Sequence, residues 1–133
     1  LKSQRNSPMT TEFADFVAQQ DARNTIQLNV RKHTLTLCEA LEFDFIRRAP
    51  NSTPYKFYIE SGRKYHKIIM EVPNNNRPPS RSVHAFVDKK TGDVYKAASF
   101  KAPAKHVRFN LLDINSREEC FKRADWAGGY LYM

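Results

Sequence analysis

Period-two alternation is clearest in the middle of the chain. In Lys64–Val72, His66, Ile68, Met70 and Val72 fall on one side, and Tyr65, Lys67, Ile69 and Glu71 on the other. This is the pattern of a half-buried antiparallel strand. Tyr55, Phe57 and Ile59 alternate in the same way, so Tyr55–Glu60 is expected to be another strand, with Ser61-Gly62 as the turn between them. Val83–Val87 and Val94–Ala98 are β-prone and flank Asp88-Lys89-Lys90-Thr91-Gly92-Asp93. Asp opens such turns by bonding nearby backbone, and Gly supplies the positive φ that closes them. Residues 82–98 are therefore read as a hairpin, with Phe86 opposite Tyr95 and Val87 opposite Val94. Both hairpin faces carry apolar groups, so either could be core.

Helical spacing dominates the two ends. Thr10 or Thr11 can cap a helix running to about Arg23, with Phe13, Phe16, Val17 and Gln20 on one face, read as core packing. Residues 24–33 (NTIQLNVRKH) read equally as a strand or as continued helix. Thr36 and Glu39 have capping-box spacing, so a second helix is predicted over Leu35–Arg48, with Leu35, Cys38, Leu41, Glu42 and Phe45 on its face and Pro50 stopping it. Ser116-Arg117-Glu118-Glu119 is a further capping box, predicting a helix from Arg117 to about Ala127. Residues 73–81 (PNNNRPPSR) read as a loop, favoured as a plain connector, because two adjacent prolines remove donors. The uncharged tail, Tyr130 to Met133, is expected to fold back as an edge strand or to dock on a partner. The sum is an α+β fold: N-terminal helices packed on a three- to four-stranded antiparallel meander, with a short C-terminal helix.

Length and composition fit this picture. At 133 residues, with 41% hydrophobic and 27% charged, the chain is expected to form one α+β domain over residues 9–133. Met9-Thr10-Thr11-Glu12 reads as a translation start, so residues 1–8 are expected to be a non-native or disordered leader. No apolar run approaches the ~20 residues of a membrane span, and no membrane partner is expected. Cys38 and Cys120 read as reduced thiols of a cytosolic protein.

Charge placement adds a functional candidate. The net charge is +8, and residues 61–112 alone hold eleven Lys and Arg against three acids, so the whole excess lies there. Such a surface favours polyanions. Lys101, Lys105, His106 and Arg108 interleave with Phe100 and Phe109, a mix that suits phosphates and stacked bases. The plainer alternative buries the phenylalanines and leaves the cations in water. Arg63, Lys64, Lys89 and Lys90 form a second candidate group for contact with DNA or RNA. Catalytic and metal motifs are missing: there is no Walker loop, GxSxG or HExxH, and the histidines and cysteines lack zinc spacing. Cys120 and His106 could meet in three dimensions and His66 and His84 could be neighbours across strands, but ordinary core or surface histidines account for each, and turn structure accounts for Asp88 and Asp93. No enzyme activity and no cofactor are expected.

Gly62-Arg63-Lys64-Tyr65, the run FVDKKTGDVYKAAS (residues 86–99), KAPAK (101–105) and the N-x-x-D ending at 110–113 together resemble a family of small uncharacterised proteins of marine tailed phages, including those of cyanobacteria. Phe100 stands where Trp is common in that family. The resemblance covers residues 60–113 and implies no activity or cofactor. It implies an accessory protein in the cytoplasm of an infected bacterial host or in the virion. Two roles follow as expectations: nucleic-acid binding through the basic central face, or virion association and assembly through contacts with phage or host protein. The surfaces for the second would be the Phe13/Phe16 helix and the Gly128–Met133 tail.

Overall fold

A computed structural model describes residues 8–132. Their order is a long helix α1 (Pro8–Arg48), strands β1 (Lys56–Ser61), β2 (Tyr65–Asn74), β3 (Arg77–Asp88), β4 (Asp93–Lys96) and β5 (Phe109–Asn110), helix α2 (Ile114–Arg123), and a 3-10 turn (Gly129–Leu131). The strands form one antiparallel meander in the order β1-β2-β3-β4-β5. The α+β expectation holds, with five strands in place of three or four. The expected leader lies outside the described residues apart from Pro8.

The two N-terminal helices are one element of 41 residues. No Gly or Pro lies between Pro8 and Pro50, so nothing forces a break in the ambiguous stretch. Thr36 is no cap: its hydroxyl donates back to the Lys32 carbonyl, as Thr34 does to Val30. The buried face is Val30, Thr34, Leu37, Cys38, Leu41 and Phe45. Leu37 therefore points inward, and Leu35, expected on that face, points to solvent. Upstream, every side chain from Glu12 to Ile26 is exposed. Phe13 is 68% and Phe16 56% exposed, which corrects their reading as core. Arg23 is the first side chain to reach a hollow shared with the sheet, at Lys90, so about 17 Å of helix, Glu12 to Ala22, projects beyond it.

Alternation is correct for β1 and β2. Phe57, Ile59, Ile68 and Met70 face α1 together with Ala85, Val87, Val94 and Phe109. The hairpin pairs Phe86 with Tyr95 and Val87 with Val94, as expected, and the Val87/Val94 side is the core side. Asp88 Oδ1 accepts from the amides of Lys90 and Thr91, and Gly92 closes the turn at φ 78°. A Cβ at Gly92 would stand 3.0 Å from Leu112 Cγ, so space as well as dihedral demands glycine there.

Residues 73–81 are not a free loop. β2 and β3 continue to a turn at Asn75-Asn76, with Asn76 at φ 59°. Pro78 and Pro79 are tolerated because β4 pairs β3 only at residues 85–87, which leaves this half of β3 an edge. A bulge at Ile68/Ile69 turns His84 inward, where its ring meets Phe57 edge-on. His66 pairs with Val87, so the two histidines are not cross-strand neighbours.

The C-terminal helix starts earlier than its capping box suggested. Asp113 is the N-cap, accepting from the Ser116 amide, while Ser116 Oγ accepts from Asn110 N at 2.7 Å. Asn110 binds Thr91 O and Asp93 Oδ1 through Nδ2 and receives the Leu112 and Asp113 amides on Oδ1. The N-x-x-D pattern is thus a joint between β5 and α2. After α2, Trp126 packs edge-on against Phe45 and Tyr55, and its amide donates to Asp44. The tail is neither an edge strand nor free, because Tyr130 and Leu131 are buried in the core. Both cysteines are free and buried, and burial pushes each thiol up to about 12.

Candidate nucleic-acid interface

The meander decides which cations meet. The β1–β2 turn and the β3–β4 turn lie at the same end of the sheet and are stitched together. Lys89 N donates to Lys64 O at 3.0 Å, and Lys89 Nζ donates to Gly62 O at 3.0 Å. Arg63, Lys64, Lys89 and Lys90 therefore share one corner. α1 passes over the same corner, and Gln27 lines each of three adjoining hollows there, of about 470, 340 and 310 Å³. Arg31 and Arg23, one helical turn either side of Gln27, line the first and second of these hollows respectively. They extend the patch to six cations from three chain segments. Arg31 does not stand out in the strand reading of residues 24–33, and Arg23 falls at the end of the first expected helix; one continuous helix places both on one face with Gln27.

These charges are not neutralised by ion pairs. Among the described residues, the ion pairs join Asp44 to Arg47 and Arg48 and Glu60 to Arg81, and none takes a cation of the corner. Asp88, which lines the third of these hollows, is buried, with Oδ1 engaged by two turn amides.

The other candidate group lies past the opposite end of β4, in residues 97–108. Lys101, Lys105 and His106 are exposed, with His106 at φ 75°. Arg108 is tied into the fold. Its Nε donates to Leu131 O at 2.6 Å, and its Nη1 to the carbonyls of Lys105 and His106 at 2.8 Å each. Phe109 is buried and stacks on Tyr130, so it offers no platform for a base. Phe100 remains half-exposed, with Lys67 Nζ 4.6 Å from its ring centre. The two groups of cations lie at opposite ends of β4; the corner gathers six cations from three segments, whereas residues 97–108 meet Lys67 of β2 only at Phe100.

His66 sits under the corner, 3% exposed. Its Nδ1 is 2.6 Å from Ser61 Oγ, and Nε2 is buried with no hydrogen-bond partner among the described protein atoms. Burial, with Lys89 and Arg31 nearby, holds its pKa down to about 4. Among the described residues, no carboxylate hydrogen-bonds this ring, whose partner is Ser61. His106 is exposed and Cys120 buried, so they form no pair. Among the described residues, no three His, Cys, Asp or Glu side chains are grouped to hold a metal. None of the described helices is long and apolar enough to cross a membrane.

No curated protein and no solved structure matches the chain significantly. A family model described as "Family of unknown function (DUF7717)" matches residues 13–133, from the projecting part of α1 to the last residue, and the chain belongs to that family.

Proposed function

We propose that this is a small phage accessory protein that acts without catalysis and binds nucleic acid through its basic corner. It would work in the cytoplasm of an infected bacterial host or in the virion. One observation carries the reading: six cations from α1 and two hairpin turns converge on one end of the sheet without ion-pair partners among the described residues. Holding like charges together costs stability unless a polyanion offsets it. The test is fluorescence anisotropy with short single- and double-stranded DNA and RNA across a salt series. Binding should weaken steeply with salt. The pairs Arg63→Ala/Lys64→Ala and Lys89→Ala/Lys90→Ala should each weaken it about tenfold and lower the salt slope by about two. Lys101→Ala/Lys105→Ala should change it less. Absence of binding at low salt sinks the reading.

The projecting helix favours a second role, assembly. A stretch of this length is marginal in isolation and is normally stabilised by packing. Phe13 and Phe16 lie on the face that continues the buried stripe of α1, two exposed rings beyond the sheet on which a partner can pack. Sedimentation should show self-association at tens of micromolar. Phe13→Ser/Phe16→Ser should abolish it while leaving the melting temperature unchanged, since both rings are exposed. A wild-type protein that remains monomeric under these conditions overturns this role.

A further inference from the structure

We propose that the cleft between α1 and the β1–β2 turn is a pocket for a single phosphate-type oxyanion, bound by Arg31, Lys89 and the Ser61 hydroxyl, with His66 behind Ser61 as a positioning residue. The inference rests on reading the basic corner as phosphate-binding, and it names the place within the corner where one phosphate is gripped.

Three groups from three segments converge on the Ser61-Gly62 corner. Arg31 Nη1 lies 3.5 Å from Ser61 Oγ, too long for a strong bond but within easy reach of a shared ligand oxygen. Lys89 Nζ is anchored on Gly62 O, with further donor capacity left over. Ser61 Oγ stands 2.6 Å from His66 Nδ1. The cleft holds about 470 Å³, room for a phosphate and part of what it is attached to. No carboxylate lines it: Asn24, Gln27 and Leu28 complete the wall. A planar fork from α1 facing an ammonium and a hydroxyl from the turns suits a tetrahedral oxyanion held between them.

His66 makes the pocket responsive to its occupant. With a neutral ring, Ser61 can spend its proton on Nδ1. Once the ring is protonated, Nδ1–H donates to Oγ, and the hydroxyl proton turns outward to the anion. The charged groups beside the ring are Arg31 on α1 and Lys89 on the β3–β4 turn, both disfavouring protonation. An anion between them reverses that field.

The experiment is NMR of the histidine ring protons in the full-length protein, titrated with inorganic phosphate against chloride at matched ionic strength. Phosphate should shift the His66 signals saturably and raise the pH at which the ring titrates by about one unit. Arg31→Ala should abolish both effects. Arg31 is exposed, so the variant should fold, and its melting curve provides the control. Lys101→Ala/Lys105→Ala should leave both effects intact. Unsaturable shifts, or shifts equal in Arg31→Ala, overturn the pocket even where oligonucleotides still bind by anisotropy. If inorganic phosphate and a nucleoside monophosphate bind saturably and oligonucleotides do not, the pocket stands, its ligand is a free phosphomonoester, and the nucleic-acid reading fails. If 5′-phosphorylated oligonucleotides shift His66 and 5′-hydroxyl ones do not, the ligand is a terminal phosphate.

Discussion

Ending the chain after Ala127 should abolish cooperative folding. The lost residues include Tyr130 and Leu131, 4% and 1% exposed in the centre of the core. Tyr130 stacks on Phe109 and His84, and its hydroxyl lies 2.8 Å from His84 Nε2. Leu131 O receives the Arg108 guanidinium, and the Asp125 carboxylate receives the amides of Gly129 and Tyr130. Two large side chains leave a cavity, and a part-buried histidine, an arginine and a carboxylate lose partners. Each side chain alone is worth about 2–3 kcal/mol, before cavity and orphaned-group costs. The total, on the order of 5 kcal/mol or more, rivals the whole stability of an ordinary small domain. Urea titration followed by circular dichroism should show no native baseline for the truncated chain, and Leu131→Ala should lose about 2–5 kcal/mol. A truncated protein melting within a few degrees of the parent would show that the tail is an accessory, not core.

This buried tail marks a limit of what pattern reveals. Four uncharged residues after Gly128-Gly129 carry no periodicity, so an edge strand, a docking segment and a core plug look alike. What selects the plug is tertiary: Gly128 at φ 87° turns the chain beside His84, and Tyr130 finds a partner in that ring. The meander was legible because its strands obey local rules: alternation in β1 and β2, and the Asp88/Gly92 turn. β5 was not, since two residues make no pattern and Asn110 is held by its side chain. The prolines of β3 misled because their cost depends on whether a neighbouring strand needs their missing amides, which is a question of sheet shape. Phe13 and Phe16 misled for a related reason. Their spacing marks a helix face, but only the length of the sheet decides how much of that face is covered. Four of the six cations of the basic corner were legible, on two lysine- and arginine-bearing turns. Arg31 stayed hidden because Ile26, Leu28 and Val30 imitate a strand, whereas only Val30 of the three is buried, and Arg23 because the helix expected to end at it left its place over the sheet open.

Lowering the pH from 7 to 5 should destabilise the protein strongly, well before its carboxylates titrate. His66 and His84 are both held down to about 4: His66 by burial with Lys89 and Arg31, and His84 by burial, which Asp125 only partly opposes. Burial also lowers His33, aided by Arg117 and Lys32. An unfolded histidine titrates near 6.5, so between pH 6.5 and 4 the unfolded chain binds more protons than the folded one. Stability is therefore fully present above about pH 6.5 and is lost as the pH falls toward 4. For a group moving from 6.5 to about 4, the loss at pH 5 is about 2 kcal/mol, or about 4 kcal/mol for the two together. Asp44 acts at lower pH. Burial opposes its ionisation, but the Trp126 amide and the Arg48 and Arg47 guanidinium groups outweigh it and hold the carboxyl below its ordinary value. Its contribution disappears only below the unfolded carboxylate range, near pH 4. Urea midpoints measured at half-unit steps from pH 7.5 to 4 should fall steeply through the histidine window. His66→Gln and His84→Gln should each begin less stable at pH 7.5 and each lose about 2 kcal/mol less on reaching pH 5. A wild-type curve flat to pH 4.5 would mean that both rings accept protons in place, so that neither is the neutral, desolvated group its surroundings require.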